Sequence, residues 1–511
     1  MVQPSSSRPL TPSSTGSAKP ASSGSEAPTT YDLRIAGGYT RSPEGPSFQV
    51  MNPATNEEVV KLPLGGGPEC AAALRDAREA WPAWAARTGY ERAKILTQCA
   101  AIIRAEAEQL APVTVRESGK PLVEARGEWL VAADFFDFFA GEATRTLGEI
   151  IPARTRERQT QVTYQPLGVV GIITAWNFPV YNPARAWAAA LGAGCAVVAK
   201  PAELTPLSAL HLAEILERAG LPAGVLSVVF GDAPAIGKTL LETPHCRKVS
   251  FTGSVRVGKE LMRGAADNVT RLGLELGGNA PVIVCADVDV EAVARGAVQA
   301  KFRNNGQVCV APQRFLVDAT IVGDFTRFAV DEARKIRLGD GLDPQTTVGP
   351  LISARQREHV ERLVADAISH GARLECGGKR PDHLPNGHFY EPTILSGVSA
   401  DMAIFREEIF GPVMPITAVD SPKAALALAN NSEYGLAAYV WTKDVQRAEA
   451  LSRGLECGLV GVNAWAAHAT EAPFQGWKQS GLGTECGREG LLEYMERKTI
   501  AYGGLGGPAK L

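Results

Sequence analysis

The sequence predicts an α/β protein built on doubly wound parallel sheets, and two observations carry that prediction. Short, β-branched, near-continuous apolar runs recur as GVVGIITAW (168–176), AVVAKP (196–201), LSVVFG (226–231) and KVSFTG (248–253). Helical segments separate them at roughly 25–30-residue intervals, the rhythm of strands buried on both faces and joined by helical crossovers. A second set of such runs, APVIV (280–284), RFLVD (314–318) and AAYVW (437–441), predicts another α/β unit. At 511 residues the chain also exceeds what one hydrophobic core organises, so more than one domain is expected.

Taken in order, residues 1–30 are nearly all Ser, Pro, Thr, Ala and Gly. Such a composition buries too little apolar surface to offset the entropy of ordering, so a disordered leader is expected. It lacks the apolar core of a secretory signal, and organelle import is the minor alternative to a cytoplasmic location. From about 66 to 145 apolar residues recur three and four apart, which predicts helices. TRERQTQVTYQP (155–166) then alternates polar and β-prone residues, the pattern of an exposed strand pair. The longest apolar stretch, AWAAALGAGCAVVA (186–199), stops at Lys200, short of the ~20 residues a membrane-spanning helix needs. It reads as a buried helix running into a buried strand. The glycine-rich tail 504–511 is expected to hold no structure of its own.

Charge and cysteine usage narrow the function. Acidic residues (55) nearly balance basic ones (52) and no long basic run occurs, so neither nucleic acid nor an anionic membrane is an expected partner. The 9 cysteines are odd in number and scattered without CxxC or Cys/His spacing. Reduced thiols in a cytosol-like compartment are therefore expected, and no metal site.

Open parallel sheets bind ligands beyond the C-terminal ends of their strands, and four polar stretches fall there. Trp176-Asn177 follows the first run. Lys200-Pro201-Ala202-Glu203 ends the second; its lysine and carboxylate either grip a ribose or form an exposed ion pair at a turn. FTGSVRVG (251–258) brings Gly253 and Ser254 to the entrance of a helix expected to begin near Lys259, where backbone can approach a phosphate. In LELGGN (274–279), burial of Glu275 would raise its pKa and suit it to act as a base, unless it is a core-edge carboxylate paired with an arginine. Cys309 stands apart from these. It sits in FRNNGQVCVAPQRF (302–315), a polar, glycine-broken run that core packing does not ask for. A nucleophilic thiol needs a lowered pKa or a nearby base, and the polar run could open a helix whose N-terminus stabilises a thiolate. The alternative is a buried structural cysteine.

Each stretch is a weak signal alone, but their order is not. WNFP (176–179), KPAELTP (200–206), FTGS (251–254), LELGGNAP (274–281), FRNNGQVCVAPQR (302–314) and EEIFGPV (407–413) together resemble the aldehyde dehydrogenase superfamily, from about residue 31 to 502. The resemblance implies an NAD(P)-dependent oxidation of an aldehyde to a carboxylic acid. Cys309 matches the nucleophile that forms a thiohemiacetal and then a thioester. Asn177 matches the amide of the oxyanion hole, and Glu275 the base that activates water. Trp176, Lys200, Glu203, Gly253, Ser254, Glu408 and Phe410 match cofactor-binding positions. Glu203 stands where members preferring NADP often have a smaller residue, which favours NAD, with NADP possible.

Arg185, eight residues after Asn177, and Arg303, six before Cys309, match the arginines that hold the far carboxylate in succinate-semialdehyde dehydrogenases, to which the chain is most similar. Guanidinium groups suit that task because they make several charge-assisted hydrogen bonds to a carboxylate. The serine that completes that pocket is missing near His468-Ala469, so His468 is the candidate donor. The lysine usual nine residues after the asparagine is Ala186, although its glutamate partner is present as Glu485. Ala311 replaces a second cysteine, so no redox disulfide is expected there. The runner-up is a general aldehyde dehydrogenase with Tyr181, Trp187, Trp465 and Trp477 lining an apolar tunnel, or a dehydrogenase of another ω-carboxyl semialdehyde. A cysteine hydrolase would want a histidine partner that no motif supplies, and a non-catalytic binding protein would need none of Cys309, Glu275 and Asn177.

The resemblance also implies a Rossmann-type NAD-binding domain (31–148 and 166–278), an α/β catalytic domain (279–480) and a small bridging strand element (149–165 and 481–503). The last pairs across subunits in the family, so a homodimer or homotetramer is expected.

Overall fold

The computed structural model describes residues 33–35, 38–40, 46–155 and 157–503. The expected leader, 1–30, and tail, 504–511, lie outside them.

The helical N-terminal region consists of Gly67–Ala85, Gly89–Ser118 and Leu122–Ala143. Local signals set the ends of the long middle helix. The Thr88 hydroxyl accepts from the Glu91 amide at 3.2 Å, while the Glu91 carboxylate accepts from the Thr88 amide at 2.7 Å, a reciprocal capping box. Gly119 ends the helix in the left-handed conformation, φ 77°. A Cβ there would lie 2.6 Å from Pro350 and 2.8 Å from Pro53, so only glycine fits. The turn it makes sends Lys120 into the interior, where the residue is buried.

Two sheets carry the rest. The first has the order Gly38–Thr40, Leu33–Ile35, Leu226–Val228, Ala196–Lys200, Val169–Ile173, Cys246–Thr252, Arg271–Glu275, Gly481–Leu482. Its five central strands are parallel. In chain order they run 3-2-1-4-5, the doubly wound order whose crevice opens where the winding reverses. That point lies between Val169–Ile173 and Cys246–Thr252, so Trp176-Asn177 and Gly253-Ser254 emerge beside each other. The second sheet runs Arg373–Cys376, Thr393–Ser396, Val413–Val419, Pro312–Asp318, Ala280–Val284, Ala437–Trp441, Leu459–Val462, parallel except at Arg373–Cys376. Both sets of apolar runs are thus strands, each set in one sheet. The stretch 186–199 is the end of helix Tyr181–Ala193 and the start of strand Ala196–Lys200, buried almost throughout.

Arg158–Pro166 pairs antiparallel with Met495–Gly503 over nine residues and with Glu149–Ile151 over three. The expected strand element therefore exists, with one difference. Of the segment 481–503, Gly481–Leu482 joins the first sheet and Gly487–Leu492 is helical, which leaves only the end for this ribbon. No helix among the described residues is long and apolar enough to cross a membrane. All nine cysteines are free thiols.

Leu316 is fully buried at the centre of the second sheet. Replacing it with alanine removes contacts that the sheet has no means of closing over. The expected cost is ~2–5 kcal/mol, read as a lowered thermal midpoint, with Cys309 still reactive in the folded protein.

Candidate active site

The segment Glu275–Asn279 leaves the last long strand of the first sheet and enters the first strand of the second. Its two glycines sit against the other functional loops. A Cβ on Gly277 would lie 2.6 Å from a Glu408 carboxylate oxygen, and one on Gly278 would lie 2.4 Å from the Cys309 carbonyl oxygen. The absence of two side chains is what lets three loops meet.

They meet at a cleft of about 560 Å³. Trp176, Asn177, Arg185, Gly253, Ser254, Glu275, Cys309, Glu408 and Phe410 all line it. Lys200 and Glu203 flank it at Leu204, joined as an ion pair in which Lys200 is buried, so the exposed-turn reading of that pair does not hold. A second cavity of about 380 Å³ brings together Phe178, Tyr181, Arg303 and His468, with Lys120 and Glu128 also in its wall. Trp187 is instead in the core, Trp477 is exposed and Trp465 packs on Trp441 and Tyr439, so the four expected aromatics line no common tunnel.

The loop before Cys309 is not the opening of a helix. Arg303–Gly306 is a 3₁₀ turn with Asn304, Asn305 and Gly306 all left-handed, at φ 48°, 56° and 74°. Asparagine tolerates that region and glycine adopts it freely. The polar run is therefore buried turn architecture. Asn304 Nδ2 donates to the carbonyls of Asn177 (2.9 Å) and Gln307 (3.2 Å), Gln307 Nε2 donates to the Asn304 carbonyl (3.1 Å), and Ile352 N–H donates to Gln307 Oε1 (2.9 Å). Cys309 is half-buried at the end of it. Its thiol is pushed up to about 12 by burial, with Arg185 opposing and Glu275 adding to the rise. The expectation of a thiolate lowered by a helix N-terminus is thus corrected, because no helix begins there and burial raises the thiol instead.

Asn177 is oriented from both sides. Asn182 Nδ2 donates to its Oδ1 at 3.2 Å, which turns its own Nδ2 toward the Cys309 loop, where one hydrogen goes to the Gln307 carbonyl at 3.1 Å. The second amide hydrogen faces the shared cleft. Glu275 is buried, and neither carboxylate oxygen has a hydrogen-bond partner among the described residues. Burial raises its pKa well above the carboxylate range, Glu485 adds to the rise, and Arg185 opposes it.

Arg185 differs most from expectation. Its guanidinium is ion-paired with Glu485 and stacked between Tyr181 (5.2 Å) and Phe474 (4.7 Å). With alanine at 186, this arginine supplies the cation that Glu485 would otherwise lack. Arg303 is exposed and lies over Phe178 at 5.5 Å. His468 stands between them, its ring facing Tyr181 and Phe474 edge-on, and its buried Nδ1 has no partner. Burial, then Arg303 and Arg185, lower its pKa to about 4, so near neutral pH it is an uncharged imidazole beside two guanidinium groups.

A dinucleotide fits the first cleft on the chemistry of its walls. Ser254 caps the helix Val255–Ala265, four residues earlier than expected, and presents that N-terminus at the switch point. Glu203 sets one carboxylate oxygen on the Lys200 ammonium, and Glu408, raised to about 7 by burial, uses one oxygen on the Gly278 amide at 2.8 Å. Phe410, held at φ 48°, meets Trp176 edge-on at 5.5 Å.

A doubly wound sheet whose switch point opens onto a thiol, an amide donor and a buried carboxylate defines an oxidoreductase of the NAD(P)-dependent class that works through a cysteine. The chain belongs to the aldehyde dehydrogenase family, whose pattern it matches over residues 39–500. It is 43% identical to the mitochondrial succinate-semialdehyde dehydrogenase of Oryza sativa over 92% of this chain and 89% of that one. It is also 43% identical to the 3-sulfolactaldehyde dehydrogenase of Pseudomonas putida, over 92% and 96%. The crystal structure of succinate-semialdehyde dehydrogenase from Burkholderia pseudomallei superimposes with a TM-score of 0.91 at 42% identity, covering 94% of this chain and 99% of that one.

Sequence reasoning missed Asn182, Asn304 and Gln307 as positioning groups, although Asn-Asn-Gly is a left-handed turn signal. It also missed Lys120 and Glu128, discussed below.

Two outcomes follow from the electrostatics. Alkylation of Cys309 by iodoacetamide should keep accelerating, about tenfold per pH unit, from pH 7 to 10 without a plateau, followed by mass spectrometry of its peptide. Removing the Glu485 charge (Glu485→Gln) should lower the Glu275 pKa and move the acidic limb of the kcat–pH profile to lower pH, because Glu485 holds that pKa up. Arg185→Met should move the limb the opposite way.

Proposed function

We propose that the protein oxidises succinate semialdehyde to succinate, with NAD as the preferred cofactor. The observation that carries the substrate is that Arg303, Tyr181 and His468 with its unpartnered Nδ1 line one cavity, with the Arg185 guanidinium against the Tyr181 ring. A guanidinium and a neutral imidazole in a cavity walled by Phe178 and Tyr181, with a second guanidinium on the Tyr181 ring, suit an anionic group at the far end of a short aldehyde.

The chemistry then follows from the chain's own groups. Cys309 adds to the aldehyde carbon, and the oxygen that gains charge is stabilised by Asn177 Nδ2 and the Cys309 backbone N–H. Because the resting thiol is protonated, its proton must leave as the bond forms, and Glu275 is the nearby buried carboxylate. Once Glu275 has passed that proton on to water, it takes a proton from the water that attacks the thioester, releasing the acid and returning the thiol. Bound NAD or NADP supplies the hydride acceptor of the oxidation. Glu203 and Lys200 are assigned to the adenosine ribose, Ser254 and Gly253 to the pyrophosphate, and Glu408, Trp176 and Phe410 to the nicotinamide end. Glu203 disfavours a 2′-phosphate by charge, hence NAD over NADP.

The proposed organisation is a cofactor domain of 31–148 and 166–278, a catalytic domain of 279–480, and a ribbon that pairs with a second copy. Leu147, Ile150 and Ile151 are exposed along it, which supports a homodimer or homotetramer. A cytoplasmic location is the accompanying proposal, supported by the reduced cysteines. A second reading, an aldehyde carrying another terminal anion, has support from the P. putida relative, since guanidinium groups bind sulfonate as readily as carboxylate.

NADH formation should be far faster with succinic semialdehyde than with butanal, which has the same chain length and no carboxylate. Arg303→Met should raise KM for the semialdehyde roughly 10- to 100-fold and leave butanal unchanged, as loss of a charge-assisted contact requires. Equal turnover of the two aldehydes would leave a general aldehyde dehydrogenase whose arginines are structural.

A further inference from the structure

Beneath Asn177 lies a buried ion pair that the chemistry above does not use. Lys120 is 2% exposed and Glu128 5%. The Lys120 ammonium binds one Glu128 oxygen, donates to the Asn177 carbonyl at 2.9 Å and lies 4.4 Å over the Phe178 ring. The other Glu128 oxygen accepts from the amides of Val180 (2.7 Å) and Tyr181 (3.0 Å), the first turn of the helix that carries Asn182 and Arg185. The same Asn177 carbonyl accepts from Asn304, and the Asn304 amide donates to Glu124 at 3.0 Å. One charged pair therefore ties the Asn177 carbonyl to the first turn of the helix that follows, and the Cys309 loop hangs from the same carbonyl.

We propose that Lys120 and Glu128 are positioning residues for the oxyanion-stabilising amide: they fix the Asn177 backbone so that its Nδ2 and the Cys309 N–H converge on one oxygen. This rests on the assignment of Asn177 to that role. Burying a full charge pair is costly when apolar packing could fill the space, and that cost is recovered only if the geometry it enforces is used. A loop of the sequence WNFPV has no strand or helix hydrogen bonds of its own at Asn177, so only Lys120 and Asn304 hold its carbonyl, and Lys120 is the charged one of the two. A hole built from two converging donors loses its effect when either is displaced by a fraction of an ångström.

The test is a double-mutant cycle on the full-length enzyme with the substrates above, joining Lys120→Met with Asn177→Ala. Lys120→Met should lower kcat roughly tenfold or more, since a misplaced donor forfeits much of what a deleted one does. Its NAD dissociation constant, read by tryptophan quenching, should stay within about twofold, because the cofactor walls are elsewhere. In the Asn177→Ala background the Lys120→Met cost should vanish. Glu128→Gln, which keeps an oxygen for the Val180 and Tyr181 amides while removing the charge, carries the same cycle if Lys120→Met does not fold. Costs that multiply in the double variant, or a lowered thermal midpoint with kcat intact, would overturn the proposal and leave the pair merely structural. Full kcat in Asn177→Ala alone would instead remove the oxyanion assignment on which it stands.

Discussion

The close approach of Gly278 to the Cys309 carbonyl is the contact on which the site depends. At this point the chain crosses from the first sheet to the second, and any Cβ would push the two apart. Asn279, the next residue, locks the crossing. Its amide donates to the carbonyls of Phe405 and Arg406, its Oδ1 accepts from Gln313, and its carbonyl accepts from buried Arg314. Glu275 on one side and Cys309 on the other are consequently held by backbone, not by flexible side chains. A cleft between two sheets can thus be both open to a ligand and exact in its geometry at the reacting end.

The charges around that crossing act on one another. Glu275 and Glu485 face a single Arg185, and burial raises the Cys309 thiol and the Glu275 carboxyl well above their usual ranges. An arginine cannot surrender its proton, whereas a lysine at 186 could have done so. Arg185 therefore serves as a fixed counter-charge and leaves proton movement to carboxylates and water. It also means that an anionic substrate meets one arginine already matched and one, Arg303, lying over Phe178 at the second cavity.

What was legible in the sequence was whatever repeats locally. Strands buried on both faces are apolar almost throughout, so 169–173, 196–199 and 280–284 were plain, and the order of short motifs along them revealed the family. The Cys309 loop was found but misread. Polar residues beside a cysteine look like an exposed, activating environment, yet Asn304, Asn305 and Gln307 are buried, and the first and last of them bond to backbone. Contacts between distant residues left no mark at all. Lys120 reaches Asn177 across 57 positions, Arg185 reaches Glu485 across three hundred, and nothing in GKP or in ARA announces either. Substituting alanine for a lysine at 186 was visible; that its neighbour would inherit the glutamate needed three dimensions.

The ribbon formed by Arg158–Pro166 has a consequence for how the protein is made. Its main partner, Met495–Gly503, comes from the end of the described chain and supplies nine paired positions, whereas the hairpin partner Glu149–Ile151 supplies three. A ribosome releases the first of these strands long before the last. Through most of synthesis the edge must wait with its hydrogen-bonding groups exposed, and non-local pairings of this kind are slow to close and prone to pair wrongly meanwhile. Its Arg-Gln-Thr-Gln alternation keeps that waiting edge polar, a sequence adapted to being left uncovered as much as to the pairing it finally makes.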